Sequence, residues 1–166
     1  MCSSDLCLNW GCIPTKALLG GAALAQQFKH AAQFGFNVRD IDFDIQQLVK
    51  HSRQVSEQLV QGIGQLLKKN LVTVFNASAH FIAKEQLELT DADGKKQQIS
   101  APHIIVATGA KAANLTHVPV DGEHVWSYKE ALVPKELPKS LLVIGSGAIG
   151  SEFASLYQNL GCQVTL

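Results

Sequence analysis

The sequence predicts an α/β fold in which two long helices come first, a small antiparallel sheet follows, and a strand–helix–strand unit ends the chain. Apolar residues recur at helical spacing through much of the first 70 residues. Beyond them come short stretches rich in β-branched residues, separated by turn signals. Near the end, an apolar run leads into a glycine-rich turn and a further helical pattern. Helices followed by such strands are typical of a layered α/β protein.

The composition is that of a protein with a packed core. The chain has 166 residues, of which 46% are hydrophobic and 17% charged, and its formal net charge is zero. These values argue against a disordered chain, and the lack of like-charge blocks argues against nucleic acid or an anionic membrane as a partner. Four cysteines are too few for a disulfide scaffold, which favours a reducing, cytoplasmic compartment.

Two long helices are predicted in the first part of the chain. The first covers residues 13–34 and ends at Gly35, with Pro14 in the first turn, where its missing N–H has no intrahelical partner to lose. The second follows Asp44, a residue suited to the N-cap, and continues to about residue 70.

Short strands are predicted after the helices. The segments with strand-like composition are 71–75, 79–83, 86–90, 96–99 and 103–107. The second and third form a predicted hairpin, and residues 91–94 form the turn that follows it. Residues 111–139 are rich in proline and show little periodicity, so they are predicted to be a linker with a boundary near Pro138.

The pattern GxGxxG marks the last part of the chain. An apolar strand precedes Gly145, a helix of about eleven residues follows Gly150, and Gly161 ends that helix before another strand begins. In this context Gly145 makes a tight turn, Gly147 lets the backbone approach a diphosphate, and Gly150 lets the helix pack on the strand. The free N–H groups of the helix start favour an anion. The predicted dinucleotide site comprises Gly145, Ser146, Gly147, Ala148, Ile149, Gly150, Ser151 and Glu152.

Cys7 and Cys12 enclose four residues just before the first predicted helix. A disulfide between them requires a loop or a distorted turn, and closing so short a loop gives only about 2 kcal/mol of chain-entropy stabilisation. Such a bond suits redox chemistry better than it suits a structural role. Cys12 would lie at the positive end of the helix, where a thiolate is stabilised. Zinc ligation and two unrelated buried thiols are the alternatives, although the spacing and the lack of paired histidines disfavour a metal.

The segment CLNWGCIPTKALL, residues 7–19, resembles the redox motif of the flavin-dependent pyridine nucleotide–disulfide oxidoreductases, above all that of the dihydrolipoamide dehydrogenases. The resemblance covers residues 7–166. It implies a partial FAD-binding Rossmann-like domain over 7–110, a linker over 111–139, and the start of a truncated NAD-binding Rossmann domain over 140–166. Residues 1–6 depart from the family and are expected to be a non-native or irregular leader on a fragment.

The resemblance also implies roles for individual residues. Cys7 would be the thiol that exchanges with substrate, and Cys12 the thiol that faces the flavin. Lys16 would pair with Glu152 beside the flavin, with charged ends within about 4 Å of each other. Taken alone, Glu152 is an acidic residue in a helix's first turn, which commonly complements the helix dipole at the surface.

The expected cofactors are FAD and NAD. Ala79 occupies the place of an adenine contact, although relatives often have glycine there, and Ala107, Thr108 and Gly109 match a segment that lies against the flavin. Glycine at the third position of the nucleotide motif favours NAD over NADP. The acidic residue that would hold the ribose is expected beyond Leu166, and the family's catalytic histidine is not in this chain.

The resulting prediction is oxidation of dihydrolipoamide by NAD⁺ through FAD and the Cys7–Cys12 disulfide. The expected partners are a lipoyl domain of a 2-oxo acid dehydrogenase complex and a second copy of the full-length protein. A glutathione or mercuric reductase type of enzyme is the alternative within the family. Outside it, the chain could be a non-catalytic nucleotide-binding module, and the isolated fragment is expected to be inactive.

Overall fold

A computed structural model describes residues 6–110, 112–113 and 115–166, and the predicted leader lies almost entirely outside these ranges. The chain forms two compact units. The first, here called the helical unit, comprises Cys7–Leu59 and Ala112–Leu166. The second, here called the sheet unit, contains residues 60–110. The elements in chain order are α1 Leu6–Trp10, α2 Cys12–Lys29, a 3₁₀ turn Ala31–Phe34, α3 Ile45–Lys69, β1 Ala77–Ala83, β2 Gln86–Asp91, β3 Lys96–Ser100, α4 Tyr128–Leu132, β4 Ser140–Leu142, α5 Ala148–Leu160 and β5 Gln163–Thr165.

The first predicted helix is present, but it ends earlier than expected. The α-helical part stops at Lys29, and a 3₁₀ turn continues to Gly35, which closes it with a φ of 84°. The N–H of His30 is shared between the carbonyls of Gln26 and Gln27, at 3.1 and 3.2 Å, so the last turn tightens. The predicted end at Gly35 is therefore correct for the helical segment as a whole, whereas continuous α-helix to residue 34 is wrong.

The second predicted helix is confirmed as α3. Oδ1 of Asp44 accepts hydrogen bonds from the backbone N–H groups of Gln46 and Gln47, at 2.8 and 3.4 Å. These contacts satisfy two of the donors that every helix start leaves unpaired, which is the reason for an acidic residue at this position.

The sheet unit contains a three-stranded antiparallel sheet in the order β1-β2-β3, which confirms the predicted hairpin and the strand after it. Ala79 pairs with Leu89 across β1 and β2, and Leu87 pairs with Ile99 across β2 and β3. The turn after β2 is built on Asp91, whose Oδ1 accepts hydrogen bonds from two following backbone N–H groups.

Two predicted strands, 71–75 and 103–107, are not strands in the described structure. Leu71 is 91% exposed and Ile105 is 92% exposed. β-Propensity measures how well a side chain suits a pleated, half-buried surface, whereas a strand also needs a neighbour for its backbone N–H and C=O groups. Neither segment has such a neighbour in the part of the chain that the structure describes, so neither prediction is confirmed by the fold.

The strand–helix–strand unit at the end of the chain is present. Strand β4 runs parallel to β5, with Leu141 opposite Val164, and α5 connects them. Gly161 ends α5 with a φ of 107°, a left-handed conformation that glycine adopts without steric penalty. Strand β4 is shorter than the predicted apolar run, since it ends at Leu142.

The core of the helical unit lies between α2, α4 and α5. Its buried members are Leu18, Ala22, Leu132, Phe153, Leu156, Tyr157 and Cys162. The buried hydroxyl of Tyr157 donates a 2.8 Å hydrogen bond to the carbonyl of Ala131. Helices α2 and α5 also meet at their ends, where Gln26 and Lys29 both donate to the carbonyl of Asn159. Residues of the predicted linker therefore supply a helix that packs into this core.

Helix α4 starts with a reciprocal cap. Oγ of Ser127 accepts from the backbone N–H of Lys129 at 3.3 Å, and the Glu130 carboxylate accepts from the N–H of Ser127 at 2.8 Å. This is a capping box, in which each end of the motif satisfies a donor of the other. The Ser127 hydroxyl, which also donates to that carboxylate, lowers the pKa of Glu130.

Replacing Ser127 with Ala should lower the free energy of unfolding by about 1 kcal/mol near neutral pH. Because the folded-state pKa of Glu130 lies below its ordinary value of 4.5, the carboxylate stabilises the fold above that pH and loses this contribution as the pH falls through the folded-state pKa. The stability difference between the two proteins should therefore shrink in acid. Urea unfolding at neutral and acidic pH measures it, with exposed Ser155→Ala in α5 as the control. An equal difference at both pH values would contradict the role given to Glu130.

Gly150 lies where α5 passes closest to the turn that precedes it. A Cβ at Gly150 would lie 1.9 Å from the carbonyl oxygen of Gly145 and 3.4 Å from Cγ1 of Val143. Both neighbours lie in the segment between β4 and α5. The carbonyl oxygen belongs to the backbone, so it cannot move away without displacing the turn. Only glycine fits here, which confirms the packing role predicted for this position.

Gly150→Ala should reduce the free energy of unfolding by about 1–3 kcal/mol, because the added methyl overpacks the junction. Gly20 in α2 provides a matched control, since a Cβ there meets nothing within 4 Å. Gly20→Ala should leave stability unchanged or raise it by up to about 1 kcal/mol through helix propensity. Thermal or urea unfolding measures the free energy of unfolding of both variants. An equal change in the two would exclude the steric explanation.

Candidate active site

The two cysteines of the predicted redox motif lie side by side. Cys7 is carried by α1, and Cys12 is the first residue of α2, as expected for a thiol at a helix N-terminus. Both are exposed free thiols in this structure. The predicted disulfide is therefore not formed here, and it remains a prediction about the oxidised protein.

The two thiols are chemically unequal. The hydrogen bond between the Cys7 thiol and the Cys12 side chain raises the pKa of Cys7. Slight burial and the charge of Cys12 act in the same direction, whereas the Cys12 backbone N–H and the charge of Lys16 oppose it. Cys7 is thus the thiol held in its protonated form by its neighbour, while Cys12 has the N-terminal end of a helix behind it.

Thr15 fixes the turn between the two cysteines. Its backbone N–H and its hydroxyl both donate to the carbonyl of Gly11, at 3.1 and 2.7 Å, and the side chain is buried. The sequence reading did not single out this residue. A pattern in the sequence could have indicated it, because a threonine in the first turn of a helix can donate its hydroxyl to the carbonyl four residues earlier.

Lys16 and Glu152 form the ion pair that the sequence analysis expects, with Nζ of Lys16 donating to Oε1 of Glu152. The contact joins α2 to α5 across 136 residues of sequence. The two side chains are 60% and 33% exposed. An ion pair this exposed contributes roughly 0–1 kcal/mol to stability. The ion pair therefore matters for the positions of the two charges more than for the stability of the fold.

The glycine-rich turn has the features of an anion site. Gly145 adopts a φ of 113°, and Gly147 is the N-cap of α5 with no side chain capping the helix. A Cβ at Gly147 would meet nothing within 4 Å, so the space over the helix start is open. The exposed Ser151 hydroxyl donates to the carbonyl of Ser146 at 3.2 Å, which ties the first turn of α5 to the glycine-rich turn. Uncapped N–H groups beside open space fit a diphosphate.

The residues expected to contact flavin lie partly in the other unit. Ala79 is an exposed residue of β1, and Ala107, Thr108 and Gly109 form an exposed irregular segment of the sheet unit. Gly109 has a φ of 76°, which favours glycine. Their small side chains leave the backbone accessible, as a close cofactor contact requires. Lys16 belongs to the helical unit, and the flavin contacts of all five residues remain predictions.

The structure adds one cluster that the sequence reading missed. Arg53 of α3 donates from Nη2 to the backbone carbonyl of Asn9 and, at 3.1 Å, to Oγ of Ser56. Its Cζ lies 4.8 Å from the centre of the Trp10 ring. Because 44 residues separate Arg53 from Asn9, no local pattern could have indicated the contact.

Other kinds of site find little support in the described ranges. No group of three His, Cys, Asp or Glu side chains is placed to hold a metal ion there. Nor is any helix in these ranges both long enough and apolar enough to cross a membrane.

The chain resembles known enzymes along nearly its whole length. It is 42% identical over 161 residues to the dihydrolipoyl dehydrogenase of Zymomonas mobilis, covering 97% of this chain and 34% of that protein. It is 39% identical over 162 residues to the dihydrolipoyl dehydrogenase of Bacillus subtilis, covering 96% and 35%. The chain thus spans about a third of the length of the curated relatives it matches.

A solved structure supports the same relationship. LpdA from Mycobacterium tuberculosis matches with a TM-score of 0.89 and 25% identity, covering 96% of this chain and 35% of that one. This likeness confirms the predicted α/β fold of a Rossmann-like oxidoreductase domain. A family model described as pyridine nucleotide-disulphide oxidoreductase matches residues 1–166. The chain therefore belongs to the pyridine nucleotide-disulphide oxidoreductase family.

Proposed function

We propose that this chain carries the dithiol–disulfide centre of a flavin- and NAD-dependent dihydrolipoyl dehydrogenase. The observation that carries the proposal is the pair of exposed free thiols of Cys7 in α1 and Cys12 at the start of α2, which lie close enough for Cys12 to raise the pKa of Cys7. Thiol–disulfide exchange needs an accessible sulfur that a substrate thiolate can attack and a second sulfur that leaves well. Relatives about 40% identical over this region bear the name dihydrolipoyl dehydrogenase, which supports the choice of substrate.

The exchange begins from the oxidised Cys7–Cys12 pair. A thiolate of the dihydrolipoyl group attacks Sγ of Cys7, which forms a mixed disulfide and releases Cys12 as a thiolate. The second substrate thiol, deprotonated, then attacks the substrate sulfur of that mixed disulfide. Lipoyl disulfide leaves and Cys7 is expelled as a thiolate, which takes up the proton that the second substrate thiol gave up. The protein gains the two electrons that the substrate loses. The position of Cys12 at the first residue of α2 favours its departure as an anion.

Two cofactors complete the proposed reaction. FAD would be held by Lys16, Ala79, Ala107, Thr108 and Gly109, and NAD by the turn and helix start from Gly145 to Ser151, with Glu152 beside it. When bound, the flavin supplies the two-electron chemistry that connects a dithiol to a nicotinamide. The uncapped start of α5 supports the NAD assignment, because it offers backbone donors to a diphosphate.

Lys16 and Glu152 are proposed to act as one positioning unit. The carboxylate fixes the direction of a long, flexible cation that would otherwise sample many rotamers. Lys16 lies four residues after Cys12 on the same helix, and its charge is the weakest of the influences on the pKa of Cys7, which it acts to lower. The pair therefore joins the helix that begins with Cys12 to the helix that would bind NAD.

The remaining assignments follow from the same proposal. The partner would be a lipoyl group on a 2-oxo acid dehydrogenase complex, the full-length protein would be a homodimer, and its compartment would be the cytoplasm. The division into a partial FAD domain over 7–110, a linker over 111–139 and the start of an NAD domain over 140–166 is likewise proposed. Low cysteine content supports the choice of compartment, and the name shared by the bacterial relatives supports the choice of partner.

The first test addresses the thiol pair in the intact protein. Equilibration with glutathione disulfide followed by peptide mapping should show a Cys7–Cys12 disulfide, and Cys7→Ser and Cys12→Ser should each remove it. Both variants should also lose dihydrolipoamide-dependent NADH formation by at least about 10³-fold, because the covalent relay is broken. Cys162→Ala, which removes a buried thiol outside the motif, should retain both. If the wild-type protein forms no such disulfide, or if either motif variant keeps full activity, the proposal fails.

The second test separates positioning from stability. Glu152→Gln should lower activity by about tenfold or more, while the free energy of unfolding changes by less than about 1 kcal/mol because the pair is exposed. The control is Lys96→Met, which breaks a surface ion pair of similar kind, that of Lys96 Nζ with Glu88 Oε1 at 2.9 Å. It should leave the rate of NADH formation unchanged. Equal activity in the Glu152 variant and the wild type would remove the pair from the mechanism.

A further inference from the structure

Helix α1 is too short to hold itself in place. It has five residues, Leu6–Trp10, and none of them is buried. Isolated helices shorter than about 12 residues are marginal in water, because nucleation is unfavourable and few hydrogen bonds follow it. Yet α1 carries Cys7, whose thiol must stay against Cys12 for the pair to act together. Something outside α1 must fix its position.

Arg53 makes that connection. Its guanidinium donates to the carbonyl of Asn9, in the last turn of α1. It also lies over the ring of Trp10, with Cζ 4.8 Å from the ring centre. A second cation, Nζ of Lys129, is 5.7 Å from the same ring centre. A positive charge at a helix C-terminus and over an indole face is favourable on both counts.

Arg53 is itself held by a buried part of α3. Nη2 is held by Oγ of Ser56, and Ser52 and Ser56 are both fully buried on α3. Helices α3 and α2 also touch closely, since a Cβ on Gly21 would lie 2.3 Å from Cδ1 of Leu48. Helix α3 is thus in contact with α2, the helix that begins with Cys12.

These contacts connect Cys12 to Cys7 through α2, α3 and Arg53. Cys12 begins α2, α2 packs on α3, α3 presents Arg53, and Arg53 holds the end of the helix that carries Cys7. We propose that Arg53 is a positioning residue for Cys7, which clamps α1 through Asn9 and Trp10 so that the two thiols remain in contact. The inference rests on the proposed function, in which those thiols form a redox pair.

The clamp should act on the equilibrium between dithiol and disulfide. Two thiols held together form a disulfide more readily than two thiols on loosely connected segments, because the effective concentration of one thiol at the other is higher. Releasing α1 should therefore make the Cys7–Cys12 disulfide less stable relative to the dithiol. It should also expose Cys7 to alkylation, because the hydrogen bond to Cys12 no longer holds its proton.

The test measures that equilibrium in the intact protein. Dithiol protein and glutathione disulfide exchange to give the Cys7–Cys12 disulfide and two glutathione molecules, and the ratio is read by mass spectrometry after acid quenching. Arg53→Gln should lower the equilibrium constant by about threefold or more, and it should raise the rate of Cys7 alkylation relative to Cys12 by a similar factor. Arg39→Gln is the matched control, since Arg39 is exposed, and it should match the wild type in both quantities.

A merely structural role for Arg53 would lower the melting temperature without moving either quantity in the folded protein, and that result would overturn the inference. Should Arg53→Gln fail to fold, Trp10→Phe keeps the bond to Asn9 and weakens the cation–ring contact. It should shift the equilibrium constant in the same direction by about twofold, and a wild-type value would equally overturn the inference.

The two proposals fail in different ways. If the wild-type protein forms no Cys7–Cys12 disulfide with glutathione, the proposed function fails and the inference fails with it. If the wild-type pair forms the disulfide but Arg53→Gln has the wild-type equilibrium constant and alkylation rate, the inference about Arg53 fails and the proposed function stands.

Discussion

The packing of α2 against α5 is the contact on which the rest of the helical unit depends. Leu18 and Ala22 on one helix and Leu156 and Tyr157 on the other are buried in a common core, which α4 completes with Leu132. This contact places the start of α2, where the thiols lie, on the same framework as the start of α5, where a diphosphate would bind. Lys16 and Glu152 meet as a result. Their exposed pairing could not hold the helices together by itself, so the packing must come first.

The two thiols differ in how firmly their helices are held in the fold. Cys12 belongs to an eighteen-residue helix anchored in the core, whereas Cys7 belongs to a five-residue helix whose place is set by its surroundings. Thr15 holds the turn between them through the carbonyl of Gly11. The proposed dithiol–disulfide centre would suit such an arrangement, because the position of one sulfur could adjust to its partner while the other kept its electrostatic environment.

Much of the fold could be predicted from local patterns. Asp44 was predicted to cap α3 because a carboxylate at that position satisfies orphan N–H groups, and Gly161 was predicted to end α5 because glycine tolerates a left-handed conformation. The strands predicted at 71–75 and 103–107 are absent from the described structure. Their composition suits strands, but a strand exists only beside another, and composition carries no information about the neighbour. The early end of α2 at Lys29 depended on a shared hydrogen bond at His30, which no residue pattern indicates.

The sequence by itself determined the chemistry that is available: two thiols at a set spacing before a helix, and a glycine turn whose Gly150 admits no side chain. Those features are local, because spacing and the absence of a Cβ act within a few residues. Only the tertiary structure decided which distant residues meet. It brought Glu152 to Lys16 across 136 residues and Arg53 to Asn9 across 44. Such contacts arise from the burial of apolar helix faces. That burial requires distant segments to pack together, so no single segment determines it.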